Sequence, residues 1–182
     1  MSRIRLLAVP VLTAALGTLM IQPVAAAPAA AITKAEYAKV KLGGSITALH
    51  TAAGKGACKL VFTHREDGHV SKSYDCKGDK PDSMGSFNFT DGRLGMKSYR
   101  GLDGLTSNGK MTKAKFDKTK KRQTLAQLTA VTGKGVCVLV SGFEIKSYKE
   151  DTYICTQSSS SGQAKFRMKN GELSTRSQYR LM

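Results

Sequence analysis

The chain sets out short capped stretches first and alternating apolar runs afterwards, and it does so twice. In Thr33-Lys34-Ala35-Glu36-Tyr37 the hydroxyl and the carboxylate three residues on spell a capping box. Each satisfies an orphan amide at a helix start. This helix should break at Gly43-Gly44, and Ser45 should cap a second helix ending near Gly54. Glycine is the preferred residue just past a helix end. Strands follow. Cys58, Leu60 and Phe62 alternate with polar or smaller residues, and Asp67-Gly68 separates them from His69–Cys76, a hairpin signal. In the next pair, Phe87 and Phe89 approach Asp91-Gly92, and Leu94 and Met96 leave it. A two-residue turn puts Phe89 opposite Leu94 and Phe87 opposite Met96, all on one face. The pattern predicts an α+β unit: two helices, then four antiparallel strands. One sheet face lies under the helices and the other stays open.

The same layout returns 79 residues later without a gap. Gly54-Lys55-Gly56-Ala57-Cys58 recurs as Gly133-Lys134-Gly135-Val136-Cys137, and Tyr74-Asp75-Cys76 as Tyr153-Ile154-Cys155. Shifting Ile32–Leu102 by 79 gives 19 identities over 71 positions. Thr112 and Thr124 take the capping positions, with Lys115 in place of the first glutamate, and Asn170-Gly171 supplies the second hairpin turn. Two tandem units are therefore expected, at residues 31–102 and 111–182. A linker at 103–110, rich in Gly, Ser and Asn, joins them.

Two features outside the repeat change the picture. Arg3 and Arg5 precede an apolar stretch from Leu6 to Ile21, and small residues close it. That order reads as a secretory signal peptide over residues 1–27, which leaves no membrane span after processing. Removing it leaves 27 basic residues against 13 acidic ones, a net charge of +14. A secreted, extracellular protein so charged attracts acidic partners and meets them quickly. An acidic protein face or an anionic cell-envelope polymer fits. Aromatics are sparse around a Lys-rich run from Lys113 to Arg122, so it offers no stacking platform for a single-stranded nucleic acid.

Four Cys in a secreted chain favour disulfides, and of three connectivities the repeat selects Cys58–Cys76 with Cys137–Cys155. Each would close a loop worth roughly 3 kcal/mol in the chain-entropy model. A four-Cys metal site is the rival, but the CxxC clusters of zinc modules are missing. Of the three His, His64 and His69 flank a turn and can approach each other, while the second unit has Phe143 and Tyr148 there. With the thiols paired, no nucleophile elbow and no phosphate-cradling loop, the sequence carries no catalytic apparatus, cofactor site or metal site.

Two tandem helix-helix-sheet units with one Cys pair each resemble the β-lactamase inhibitory protein family. The closest stretch is Ala114–Cys137, through Ala-Lys-Phe-Asp, Thr-Leu-Ala-Gln-Leu and Gly-Lys-Gly-Val-Cys, with Gln178-Tyr179-Arg180-Leu181 in the closing strand. The resemblance implies a concave open face, built from both sheets, that clasps a class A β-lactamase or a related penicillin-binding enzyme. It implies that the loop after each second Cys enters the enzyme's active site. In the family an aspartate of the first loop imitates the antibiotic's carboxylate. Here that loop is Lys77–Gly85, with Asp79, Asp82, Ser83 and Met84 as candidate contacts and Asp82 the better match by position. The second loop, Thr156–Gln163, lacks the family's aromatic. On the sheet face Asp75 stands where the family has a histidine and Arg167 where it has a tryptophan, while Tyr179 keeps an aromatic. The chain contains no Trp, the residue type strong interfaces use as an anchor. The other expectation is therefore a non-inhibitory binding module on the same scaffold.

Overall fold

A computed structural model describes residues 30–104, 106–158 and 161–182. The segment expected to be a signal peptide, residues 1–27, lies outside the described residues. Each half begins with two short helices, α1 (Lys34–Lys39) and α2 (Ile46–Ala53), then α3 (Lys113–Asp117) and α4 (Leu125–Thr132). Thr33 and Glu36 close the capping box of α1, and Ser45 caps α2, which stops at Gly54 with φ 83°. Thr124 and Gln127 complete a capping box at α4, whereas Thr112 at α3 receives only the Lys115 amide. The missing glutamate explains that difference, because lysine has no oxygen to return to the cap amide.

The strands are β1 (Cys58–Glu66), β2 (His69–Lys77), β3 (Met84–Thr90) and β4 (Arg93–Arg100), then β5 (Cys137–Ile145), β6 (Tyr148–Thr156), β7 (Gln163–Lys169) and β8 (Glu172–Tyr179). All eight form one antiparallel sheet in chain order. β4 pairs with β5, joining the halves through Met96↔Ile145, Lys97↔Glu144, Ser98↔Phe143, Tyr99↔Gly142 and Arg100↔Ser141. Tyr99 lies across Gly142, where an added Cβ would stand 2.3 Å from the ring. The turns Asp67-Gly68, Asp91-Gly92 and Asn170-Gly171 have positive φ at both residues, which matches the right-handed strand twist. Both disulfides, Cys58–Cys76 and Cys137–Cys155, bridge directly paired strand positions.

Phe89 opposes Leu94 as expected, but the other expected pairing is corrected: Met96 opposes Asn88, and Phe87 opposes Lys97, because Gly95 is an extra residue in β4. The bulge turns Met96 to the open face and Lys97 with Tyr99 inward. Ser174 does the same in β8, setting Phe166 opposite Arg176. In β1 the extra residue is Val61, so Leu60 and Phe62 fall on opposite faces, and Val140 repeats this in β5.

The helices cover one face. Phe87, Phe89 and Phe166 are fully buried beneath them with Leu49, Leu94, Leu128 and Leu173. Each such side chain contributes about 2 kcal/mol relative to leaving it in water. The loop between α1 and α2 is stitched to β4 by Gly43 N–H to Leu94 O at 2.7 Å and Leu94 N–H to Gly44 O at 2.9 Å. Arg122, Gln123 and Leu173 make the matching pair in the second half. Among the described residues no helix is long and apolar enough to cross a membrane.

Candidate functional site

The uncovered face decides what the protein can touch. Strand register puts Met84, Arg100, Ser141, Thr152, Arg167 and Thr175 in one transverse row from β3 to β8. Neighbouring strands lie about 4.8 Å apart, so Met84 and Arg167 stand roughly 19 Å from each other. Lys59, Asp75, Ser86 and Ser98 form a second row. Tyr179, opposite Gln163, lies on the same face and is half-exposed. The bulges in β4 and β8 therefore turn both Arg100 and Tyr179 outward.

The loop from Lys77 to Gly85 stands at one end of this face. Its base is fixed by Ile32 N–H to Lys77 O at 2.7 Å and Gly78 N–H to Ser83 O at 2.9 Å. Ser83 is buried, and its Oγ accepts from Lys80 N–H at 3.0 Å while donating to Lys80 O at 2.6 Å. It holds the loop from within. Gly78 leaves room for it, since a Cβ there would meet Ser83 Oγ at 2.0 Å. Asp79 and Asp82 are exposed, and Asp79 pairs with Lys80 at 3.4 Å. Asp82 has φ 56°, a left-handed conformation that aspartate tolerates better than most residues.

Beside the loop a cleft of about 620 Å³ opens. Asp75, Asp82, Ser83, Met84 and Arg100 line it, with Lys59 and Val61 on the β1 side. Asp75 is fixed by a 2.7 Å hydrogen bond from Ser86 Oγ. The structure thus brings Asp75, Asp82, Ser83 and Met84 to one cleft, and Asp79 is not part of its lining. Arg167 and Tyr179 lie on the far half of the same face. Arg167 is 4.0 Å from Glu150, which also accepts a 2.6 Å hydrogen bond from the Tyr148 hydroxyl.

The second loop is tied down where it is described. Ser158 N–H donates to Gly109 O at 2.7 Å, and Gln157 exchanges hydrogen bonds with the backbone of Met182. The two histidines near the β1–β2 turn do not meet: His64 pairs with Glu66 and His69 with Asp91. Among the described residues no group of three His, Cys, Asp or Glu could hold a metal ion. Arg100, Lys59 and Phe62 belong to this surface and were not among the contact residues expected from the sequence. The bulge at Val61 hides Phe62 from an alternation argument.

Comparison with known proteins adds the family. A model described as β-lactamase inhibitor (BLIP) matches residues 33–155, a span that includes all four cysteines. A solved structure from Streptococcus mutans, provisionally assigned as a β-lactamase inhibitor protein, is similar with a TM-score of 0.52 at 17% identity. It covers 84% of this chain and 91% of that one, and at this identity it speaks for the fold alone. No curated protein matches the sequence. The family match extends over more than half of the chain, and the chain belongs to the β-lactamase inhibitor (BLIP) family.

Proposed function

We propose that this is a secreted inhibitor-like binding protein, not an enzyme. It docks the open sheet face, taken as a concave surface of two tandem units at 31–102 and 111–182, on a class A β-lactamase or related penicillin-binding enzyme. The observation that carries this reading is the loop after Cys76. It is pinned from inside by Ser83 and presents the Asp82 carboxylate at the mouth of a cleft on the open face. A rigid loop loses little entropy on binding. Asp82 would occupy the site that receives the substrate carboxylate, with Asp75, Met84 and Arg100 contacting its surroundings. Arg167 and Tyr179 would meet the target on the other half. The basic surface would speed encounter with an acidic target.

The test is nitrocefin hydrolysis by a panel of class A β-lactamases with the oxidised protein titrated in. Inhibition should saturate, and Asp82→Asn should weaken it roughly 30-fold, the loss of one hot-spot contact. Asparagine keeps the left-handed backbone, so the variant removes charge without unfolding the loop. No inhibition at micromolar protein would defeat this reading. The same scaffold would then serve another protein or an anionic envelope polymer. The absence of Trp anchors and the second loop's attachment to the linker favour that alternative.

A further inference from the structure

A separate cavity lies on the helix-covered side of the sheet, over the seam between the halves. Its volume is about 430 Å³, within the range usual for small-molecule sites. α1 supplies Tyr37 and Ala38, and the loop after it Lys41, from one half, while Leu125 and Tyr153 come from the other. Tyr37, Lys97 and Tyr99, all of them lining it, are each less than a tenth exposed. Such groups need partners, and most have them. Lys97 Nζ donates to Val40 O at 2.8 Å, lies 3.4 Å from Glu144, and sits 4.6 Å over the Tyr37 ring. Tyr99 donates to Asp151 at 3.0 Å, and Lys149 pairs with Asp151 at 3.3 Å. The Tyr37 hydroxyl is the exception: it is sealed from solvent and has no hydrogen-bond partner.

The charges do not balance. Glu144 and Asp151 face Lys41, Lys97 and Lys149, while Lys34 at the rim is engaged by Asp103. Burial lowers the pKa of Lys97, and Glu144 partly restores it. Lys41 and Lys149 push it down further, which places all three ammonium groups in one field. One positive charge is left over. Burial holds the Tyr37 phenol well above its usual range, so it remains a donor at neutral pH. Leu125, Leu139, Ala38 and the phenol rings supply apolar wall.

We propose that this cavity binds a small organic anion with an apolar or aromatic body. The lysines answer its charge, and a small shift of the Tyr37 ring brings its sealed, unpartnered hydroxyl to an acceptor oxygen of the occupant. The occupant would touch both halves and tie them together. The site is independent of the docking face and stands or falls separately from it.

Benzoate is the probe, with benzylamine as its charge-reversed control, and the readout is NMR of the oxidised protein. The chain has six Tyr and no Trp, so ring resonances can be assigned individually. Millimolar benzoate should shift the rings of Tyr37, Tyr99 and Tyr153 saturably, and benzylamine should not. Tyr37→Phe should lose roughly five-fold in benzoate affinity, one neutral hydrogen bond, while its melting temperature holds or rises. Ala38→Trp, on the exposed side of α1, should abolish the shifts with the far-UV circular dichroism unchanged. Absence of saturation, an equal response to benzylamine, or an affinity indifferent to both variants would overturn the proposal.

Discussion

β1 and β5 occupy the same place in the two halves, yet β1 ends the sheet in solvent and β5 lies inside it. Leu60, Val61 and Phe62 of β1 are each at least half exposed, and their counterparts Leu139, Val140 and Ser141 are not. The sharpest divergence is Thr63 against Gly142. Only the second faces another strand's tyrosine, and only there does a side chain have no room. Lys97 and Arg176 tell the same story. Both reach back to carbonyls at the end of the first helix of their half, Val40 for one, Phe116 and Thr119 for the other. Lys97 is buried by β5, while Arg176 stands on the free edge and is exposed. The two halves share a framework, and they differ where one has a neighbour and the other does not.

Gly142→Ala tests this most severely. Its Cβ would fall 2.3 Å from Tyr99 and 2.6 Å from Asp151, overpacking that should cost about 2–3 kcal/mol in urea unfolding. Thr63→Gly, the reverse change on the edge, should cost about 1 kcal/mol. Equal losses would break the comparison.

Lys97→Met should cost about 1–2 kcal/mol, because the Val40 carbonyl is left unanswered, and Arg176→Met should cost less than half of that. Burial lowers the pKa of Lys97, so below the folded value its charging penalty is present in full. As pH rises toward the unfolded value near 10.5 the penalty disappears and the wild type gains stability. The gap between Lys97→Met and wild type should therefore widen from pH 7 to about 10, measured by urea midpoints. Higher still, buried phenols reverse the trend. Tyr153 is pushed up to about 12, mainly by burial, so the folded state keeps its proton longer and stability falls above about pH 10.

The smallest effect belongs to the hairpin turns. Asp91 accepts from Val70 N–H at 2.9 Å, and Asn170 accepts from Lys149 N–H at 2.8 Å in the same position. The Val70 amide first and His69 second lower the pKa of Asp91 below 3.8. Its contribution is present above that value and lost as pH falls through the folded pKa. Asp91→Asn should flatten acid unfolding below about pH 4, and Asn170→Asp should introduce a comparable slope.

Most of the local order was legible in the residues. Thr33, Ser45, Thr112 and Thr124 cap as their neighbours dictate, and the Cys pairing follows from the offset of 79. The bulge at Val61 was not, because an extra residue there shifts parity without leaving a compositional mark, and Phe62 took an unexpected face. In β4 the step from Leu94 and Met96 to Tyr99 breaks strict alternation and signals a bulge, but not its place at Gly95, so Met96 was put opposite Phe87. The β4–β5 seam was hidden as well, because pairing between distant strands has no local signal. Of the candidate site, loop membership could be read directly. The inward turn of Ser83 and the outward turn of Arg100 depended on contacts across the sheet.

The strand order has a consequence for how the chain comes into being. Each strand pairs with the next one made, so a chain emerging N-terminus first can lay down its sheet in sequence. The second half cannot finish that way until the last residues arrive. Leu181 is buried, and the carbonyl of Met182 accepts the Lys113 amide at 3.0 Å. A chain that has emerged except for those residues would hold a nearly complete first half and an unlatched second one.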